Sequence, residues 1–214
     1  DREFLGGLRR RAADYGKFAA GLKALEFALS LGGEKKLELV PFVGGRTKVK
    51  KTVRTDVTVR RTDKALVVRF DCEEPRMGDI VERVHTEESP DLWQENVVEI
   101  VIDPKGDRTS YVQFFVNSAG STADCHSSCI YQPTEGWKWN SGFTARVEKG
   151  DKSWMAELTI PLAALPDLPQ KFAVEFSRER NLTGENDYEH LYHWSPYAYG
   201  FSDLDNLGRI VFSD

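Results

Sequence analysis

A two-sheet antiparallel β-sandwich is the fold class this sequence predicts, and three observations predict it. After Gly33 the apolar residues recur at period two, in short β-branched and aromatic runs. Turn chemistry separates those runs at Thr62-Asp63-Lys64, Pro104-Lys105-Gly106-Asp107, Ala119-Gly120 and Lys149-Gly150-Asp151. No helical period falls between them, which argues against a parallel sheet with crossover helices.

Nine strands follow from the pattern, near Leu37 to Val43, Asp56 to Arg61, Ala65 to Cys72, Val97 to Asp103, Ser110 to Asn117, Phe143 to Glu148, Ser153 to Ile160, Phe172 to Arg180 and Gly208 to Phe212. Residues 37–214 are therefore read as one sandwich domain and residues 1–36 as an N-terminal helix and linker outside it. The helix rests on Phe4, Leu8, Ala12, Tyr15, Ala19, Leu22, Leu25 and Leu29, spaced by three and four, and Gly32-Gly33 stops the period. Such an apolar stripe must lie on something, either the sandwich or a neighbouring domain. Three stretches, about Glu73 to Asn96, Ala123 to Gly142 and Asn181 to Leu207, are too long for ordinary loops, and their aromatic residues argue for order.

Alternation assigns faces. Val112, Phe114 and Val116 share one side of their strand and belong to the core, while Tyr111, Gln113, Phe115 and Asn117 share the other. The second set suits either a polar binding face or a solvated sheet. Trp154, Ala156, Leu158 and Ile160 also share a side, which makes Trp154 a core residue.

The 214 residues, 40% hydrophobic and 29% charged, describe a soluble globular chain, and a formal net charge of -5 leaves no basic footprint for nucleic acid or anionic lipid. No apolar run approaches the roughly 20 residues that span a bilayer, so neither nucleic acid nor membrane is expected as a partner. The sequence starts at Asp1 without Met, which reads as a processed protein or a piece of a longer one. Of the three cysteines, Cys72 ends an apolar strand and reads as a small buried hydrophobe. Cys125 and Cys129 read as a disulfide or as two reduced thiols; with His126 they would supply only three ligands of a metal site.

From about Leu92 onward the segments Trp93-Gln94-Glu95-Asn96-Val97-Val98-Glu99-Ile100-Val101-Ile102-Asp103-Pro104, Tyr111 to Phe114 with Asn117, Trp154 to Leu162, Phe172 to Arg178, Trp194-Ser195-Pro196 and Gly208 to Phe212 occur in order. Together they resemble the family nine carbohydrate-binding modules, jelly-roll-like sandwiches often fused to glycan-degrading enzymes. The resemblance implies a non-catalytic domain that holds the end or a short stretch of a mono-, oligo- or polysaccharide between two tryptophans. Trp93 and Trp194 look like the two walls, with Glu99, Gln113 and Arg178 gripping hydroxyls. The chemistry suits the task, since an indole covers the apolar C–H face of a pyranose while desolvated hydroxyls need hydrogen bonds, best to charged groups. Trp137 and Trp139 read either as a further platform or as a hydrophobic plug. Family members can hold structural calcium, for which Asp103, Asp107, Asp203 and Asp205 are the oxygen candidates; their spacing fits no complete binding loop and favours ordinary turn acids. No cofactor beyond that is expected. The resemblance further implies an extracellular or periplasmic location and an adjacent catalytic domain of the same chain, as in an accessory module of a secreted glycoside hydrolase.

Three rival functions compete with this one. Glu99 and Glu157 could pair as glycosidase carboxylates, but nothing marks either as acid or nucleophile. A haem-binding electron-transfer sandwich would draw on Met77, His85, His190 and His193, none of which sits in a haem motif. A structural spacer with a decayed sugar site shares the fold, and buried or separated Trp93 and Trp194 would betray it.

Overall fold

The structure is a computed structural model, and it describes residues 25–41, 53–86, 88–128, 134–165, 168–184, 191–195 and 203–214. Two sheets make up the sandwich. The first contains β1 (Glu26–Ser30), β3 (Val40–Pro41), β6 (Val97–Asp103), β7 (Ser110–Asn117), β8 (Thr122–Ser128), β11 (Lys171–Glu179), β12 (Leu191–His193) and β13 (Gly208–Ser213). Its order is β1-β13-β11-β6-β7-β8, with β12 pairing β11 and β3. The second runs β2-β4-β5-β10-β9, formed by β2 (Glu34–Glu38), β4 (Thr55–Arg61), β5 (Ala65–Glu73), β10 (Ser153–Pro161) and β9 (Thr144–Lys149). Every pairing among the described strands is antiparallel except that of β1 with β13.

The turns expected from sequence close these strands. In the β4–β5 turn Thr62 Oγ1 accepts the Ala65 amide at 2.9 Å, and Gly150 N donates to Ser153 O at 2.8 Å between β9 and β10. Between the sheets lie Val57 and Val59 of β4, Leu66, Val68 and Phe70 of β5, Trp154 to Ile160 on alternate positions of β10, Val98, Ile100 and Ile102 of β6, and Val112, Phe114 and Val116 of β7. Each fully buried side chain of this size contributes about 1.5–3 kcal/mol by leaving water. Trp154 is 1% exposed, as its alternation requires.

Three differences from the sequence pattern stand out. Residues 26–30, the end of the expected helix, form β1 instead, and the rest of that helix lies outside the described residues. Phe27 and Leu29 satisfy a period of two as well as a helical stripe, and pairing Glu26 with Arg209 through Ser30 with Ser213 buries both of them. Gly32, at φ 72°, then carries the chain from the first sheet to the second, so the sandwich begins ahead of residue 37. Finally, β8 and β12 arise inside two of the long unpatterned stretches.

Candidate functional site

The first sheet has an outward face as well as a core face, and its central strands are buried on both. Alternation turns Val97, Glu99, Val101 and Asp103 of β6 outward, with Tyr111, Gln113, Phe115 and Asn117 of β7 and Ala173, Glu175 and Ser177 of β11 beside them. Leu92, Val97, Phe115, Ala123 and Cys125 form an apolar cluster at one end of this face, and Trp137 stacks on Phe115 at 5.7 Å. Val101, Tyr111, Leu204 and Leu207 form a second cluster towards the other end.

Glu99, Gln113, Glu175 and Ser177 make a polar band on this face, all of them buried. Gln113 Nε2 donates to Glu99 Oε2 at 2.7 Å, while Gln113 Oε1 and Ser177 Oγ are buried without a hydrogen-bond partner among the described residues. Burial pushes the Glu99 carboxyl up to about 8, against the opposing effect of the Gln113 hydrogen bond. Burial likewise pushes Glu175 up to about 8, although it accepts from Ser195 Oγ and from the amides of Ser195, Trp194 and Phe176. Unpaired polar atoms below a surface are costly.

Trp93 lies on the short 3-10 turn Leu92–Gln94 directly before β6 and is 45% exposed, while its neighbour Leu92 is buried in the first outward cluster. Asn181 Nδ2 holds this turn by donating to Trp93 O at 3.2 Å and Glu95 O at 3.0 Å. Glu95 is buried and accepts from Arg83 N and Asn117 Nδ2, with His85 Nε2 at 2.7 Å from its other oxygen. The Glu95-Asn96 segment thus ties the chain before β6 to the sheet.

Two expected site residues sit elsewhere. Trp194 belongs to the inter-sheet core at 8% exposure, with its ring 5.4 Å from Phe27 and 5.7 Å from Phe176 and laid against Gly208. Buried in this way it is not an exposed wall, in contrast to Trp93. Arg178 points inward too, with no exposure, donating to Thr55 Oγ1 at 2.9 Å, Glu73 O at 3.1 Å and Glu74 Oε2 at 3.2 Å. Its partner is thus Glu74, which Arg180 also grips at 2.6 and 2.9 Å. Burial acts to raise the Glu74 carboxyl, but the hydrogen bond and charge of Arg180, with Arg178 and the Arg76 amide, hold it below its ordinary value.

Trp137 and Trp139 part company: the first covers the outward cluster, the second packs at the core edge 6.0 Å from Phe114. Each of the expected calcium acids is engaged locally. Asp103 accepts the Gly106 and Arg108 amides, Asp107 accepts from Thr109, Asp205 pairs with Arg108 and Asp203 accepts from Asn206. No group of three or more metal-ligating side chains occurs among the described residues. The haem candidates are no better placed, since Met77 packs on the core, His85 is held by Glu95, and His193 Nδ1 donates to Ser195 O. His190 lies outside the described residues, as does Cys129; Cys125 is a buried thiol that burial raises to about 12.

Glu175 and Ser177 lie outside the set expected from sequence, although the strand pattern carries their signal. In Phe172-Ala-Val-Glu-Phe-Ser-Arg178 the parity of the apolar residues turns Glu175 and Ser177 outward and Arg178 inward.

Fold and face together define a β-sandwich whose first sheet carries a polar band between two apolar clusters. The chain belongs to the family described as carbohydrate family 9 binding domain-like, which it matches over residues 34–213. It is similar in fold to a candidate carbohydrate-binding protein from Bacteroides uniformis, with 14% identity, a TM-score of 0.70, and 89% of this chain and 100% of that one covered. It is also similar to a family 9 carbohydrate-binding module from Caldicellulosiruptor kristjanssonii in complex with cellotriose, at 12% identity and a TM-score of 0.59, covering 88% and 93%. The glucose complex of a family 9 module from that organism gives 13% identity and a TM-score of 0.56, covering 88% and 95%. No curated protein matches the chain.

Proposed function

We propose that this chain is a non-catalytic carbohydrate-binding module that holds the end or a short stretch of a glycan at the outward face of the first sheet. Trp93 supplies the exposed ring, and the Glu99–Gln113 pair forms the polar floor behind it. The observation that carries this reading is an indole 45% exposed on a turn anchored by Leu92, one strand end away from a buried carboxyl and an amide oxygen with no partner. Solved family 9 modules hold cellotriose and glucose, which supports the ligand class. Trp137, on the same end of the face, is the nearer candidate for a second aromatic contact than Trp194. In this reading the module is an accessory part of a secreted glycoside hydrolase and works outside the cytoplasm.

Titration calorimetry with glucose and cello-, xylo- and galacto-oligosaccharides tests it. Dissociation constants of roughly micromolar to millimolar are expected, about -8 to -4 kcal/mol. Trp93→Ala should remove most of the affinity and leave the melting temperature nearly unchanged. A broad panel without binding, or full affinity in Trp93→Ala, overturns the reading.

A further inference from the structure

The outward face carries a second feature, at the end of β6 opposite Trp93. A cleft of about 440 Å3 opens there, within the size range of small-ligand sites. Its base is a row in register across three strands, Asp103 of β6, Ala173 of β11 and Arg209 of β13. Leu204, Leu207 and Pro169 supply apolar lining.

The charge of this cleft opposes that of the whole chain. Lys105, Arg108, Lys171 and Arg209 line it, against Asp103 and Asp205, while the chain carries a net -5. The acids are already engaged. Asp103 is buried, with one oxygen accepting the Gly106 amide at 2.8 Å and the other the Arg108 amide at 2.9 Å. Asp205 meets Arg108 at 3.3 Å, and Lys171 meets Glu26 at 2.5 Å. Among the described residues Lys105 and Arg209 make no ion pair; Lys105 does act on Asp107, whose carboxyl its charge helps to lower, so Arg209 is the cation that faces the cleft without an acid partner. A guanidinium and an ammonium that line one cleft together with apolar side chains suit a carboxylate attached to a ring with a C–H face.

We propose that this cleft is a subsite for an acidic sugar, with Arg209 and Lys105 receiving the carboxylate of a uronic acid and Leu204 and Leu207 lying under its ring. Only the identity of the ring rests on the carbohydrate reading above; the anion preference rests on the cleft itself.

Calorimetry with glucuronic acid, galacturonic acid, glucose and inorganic phosphate, on wild type, Arg209→Gln, Lys105→Gln and Trp93→Ala, tests the proposal. The uronic acids should bind more tightly than glucose at low salt and weaken as ionic strength rises towards about 0.5 M. Each cleft variant should weaken uronate binding about three- to tenfold, the range for one partly exposed charge-assisted hydrogen bond, with glucose binding unchanged. Trp93→Ala should abolish glucose binding and spare the uronates. The proposal is overturned if uronates bind no better than glucose, if both cleft variants retain wild-type uronate affinity, or if phosphate binds as tightly as the sugar acids. Uronate binding that responds to the cleft variants while glucose never binds would sink the Trp93 site and leave the cleft standing.

Discussion

Glu99 and Glu175 show what a single residue can report. Both carboxyls are buried and raised from an ordinary 4.5 to about 8. A group whose folded value is raised contributes stability that is fully present below its unfolded value and is lost as pH rises through its folded value. Between about pH 4.5 and 8 each such carboxyl should therefore remove up to about 1.4 kcal/mol per pH unit. His193, lowered by burial, acts in the opposite sense at the acid end of this window, so the informative quantity is a difference between proteins. Glu99→Gln keeps an acceptor for Gln113 and should lose less melting temperature than wild type between pH 6.5 and 8.5. Equal slopes in thermal melts of the two proteins would show that Glu99 is already charged in the folded state below that range. The inward turn of Arg178 belongs to the same scale, because one step of strand parity separates a ligand-facing guanidinium from a buried one.

At the scale of elements, β11 and its neighbours position the outward face. Glu175 of β11 accepts the amides of Trp194 and Ser195, which fixes the chain immediately after β12. The indole of Trp194 then fills the space over Gly208, the first residue of β13, where a Cβ would run into the ring. Trp194→Ala is accordingly expected to cost about 3–5 kcal/mol of stability, like other truncations of core aromatics. Gly208→Ala should cost about 1–3 kcal/mol through overpacking of the same contact. Denaturant titration of both variants checks this. A Trp194→Ala protein as stable as wild type, with sugar affinity gone, would restore this tryptophan to the binding site.

At the scale of the whole molecule, the two sheets are joined by charge as well as by apolar packing. Arg178 leaves β11 in the first sheet, crosses the core beside the Trp154 ring, and meets Thr55 and the Glu73-Glu74 segment of the second sheet. Arg180 completes the pair of guanidinium groups on one carboxylate, and none of the three side chains is more than 4% exposed. Removing one member of a buried ion pair leaves uncompensated charge, so Glu74→Ala should cost about 3–5 kcal/mol. Replacing Arg178 with Met, which fills similar space without charge, should cost less only when Glu74 is neutralised to Gln at the same time. Chemical unfolding of the single and double variants reads this coupling directly; additive losses would mean that Arg178 and Glu74 are not coupled.

The sandwich was legible because its signal is local. Alternation along Val97–Asp103 and Ser110–Asn117 sets both strands and both faces without reference to any other part of the chain, and the structure has these two strands with the same bounds. The same rule placed Trp154 in the core. What alternation alone could not supply was the outcome of competition between distant segments. Residues 26–30 can present Phe27 and Leu29 as a helix or as a strand, and a free edge at β13, about 180 residues later in the chain, selects the strand. Trp93 and Trp194 are both tryptophans at strand ends, and nothing local separates them. One follows Leu92 on a turn that leaves its ring in solvent, whereas the other meets Phe27, Phe176 and a glycine with room for an indole. Sequence by itself determined which residues share a face; only tertiary structure decided which faces are covered, because burial depends on contacts between segments far apart in the chain.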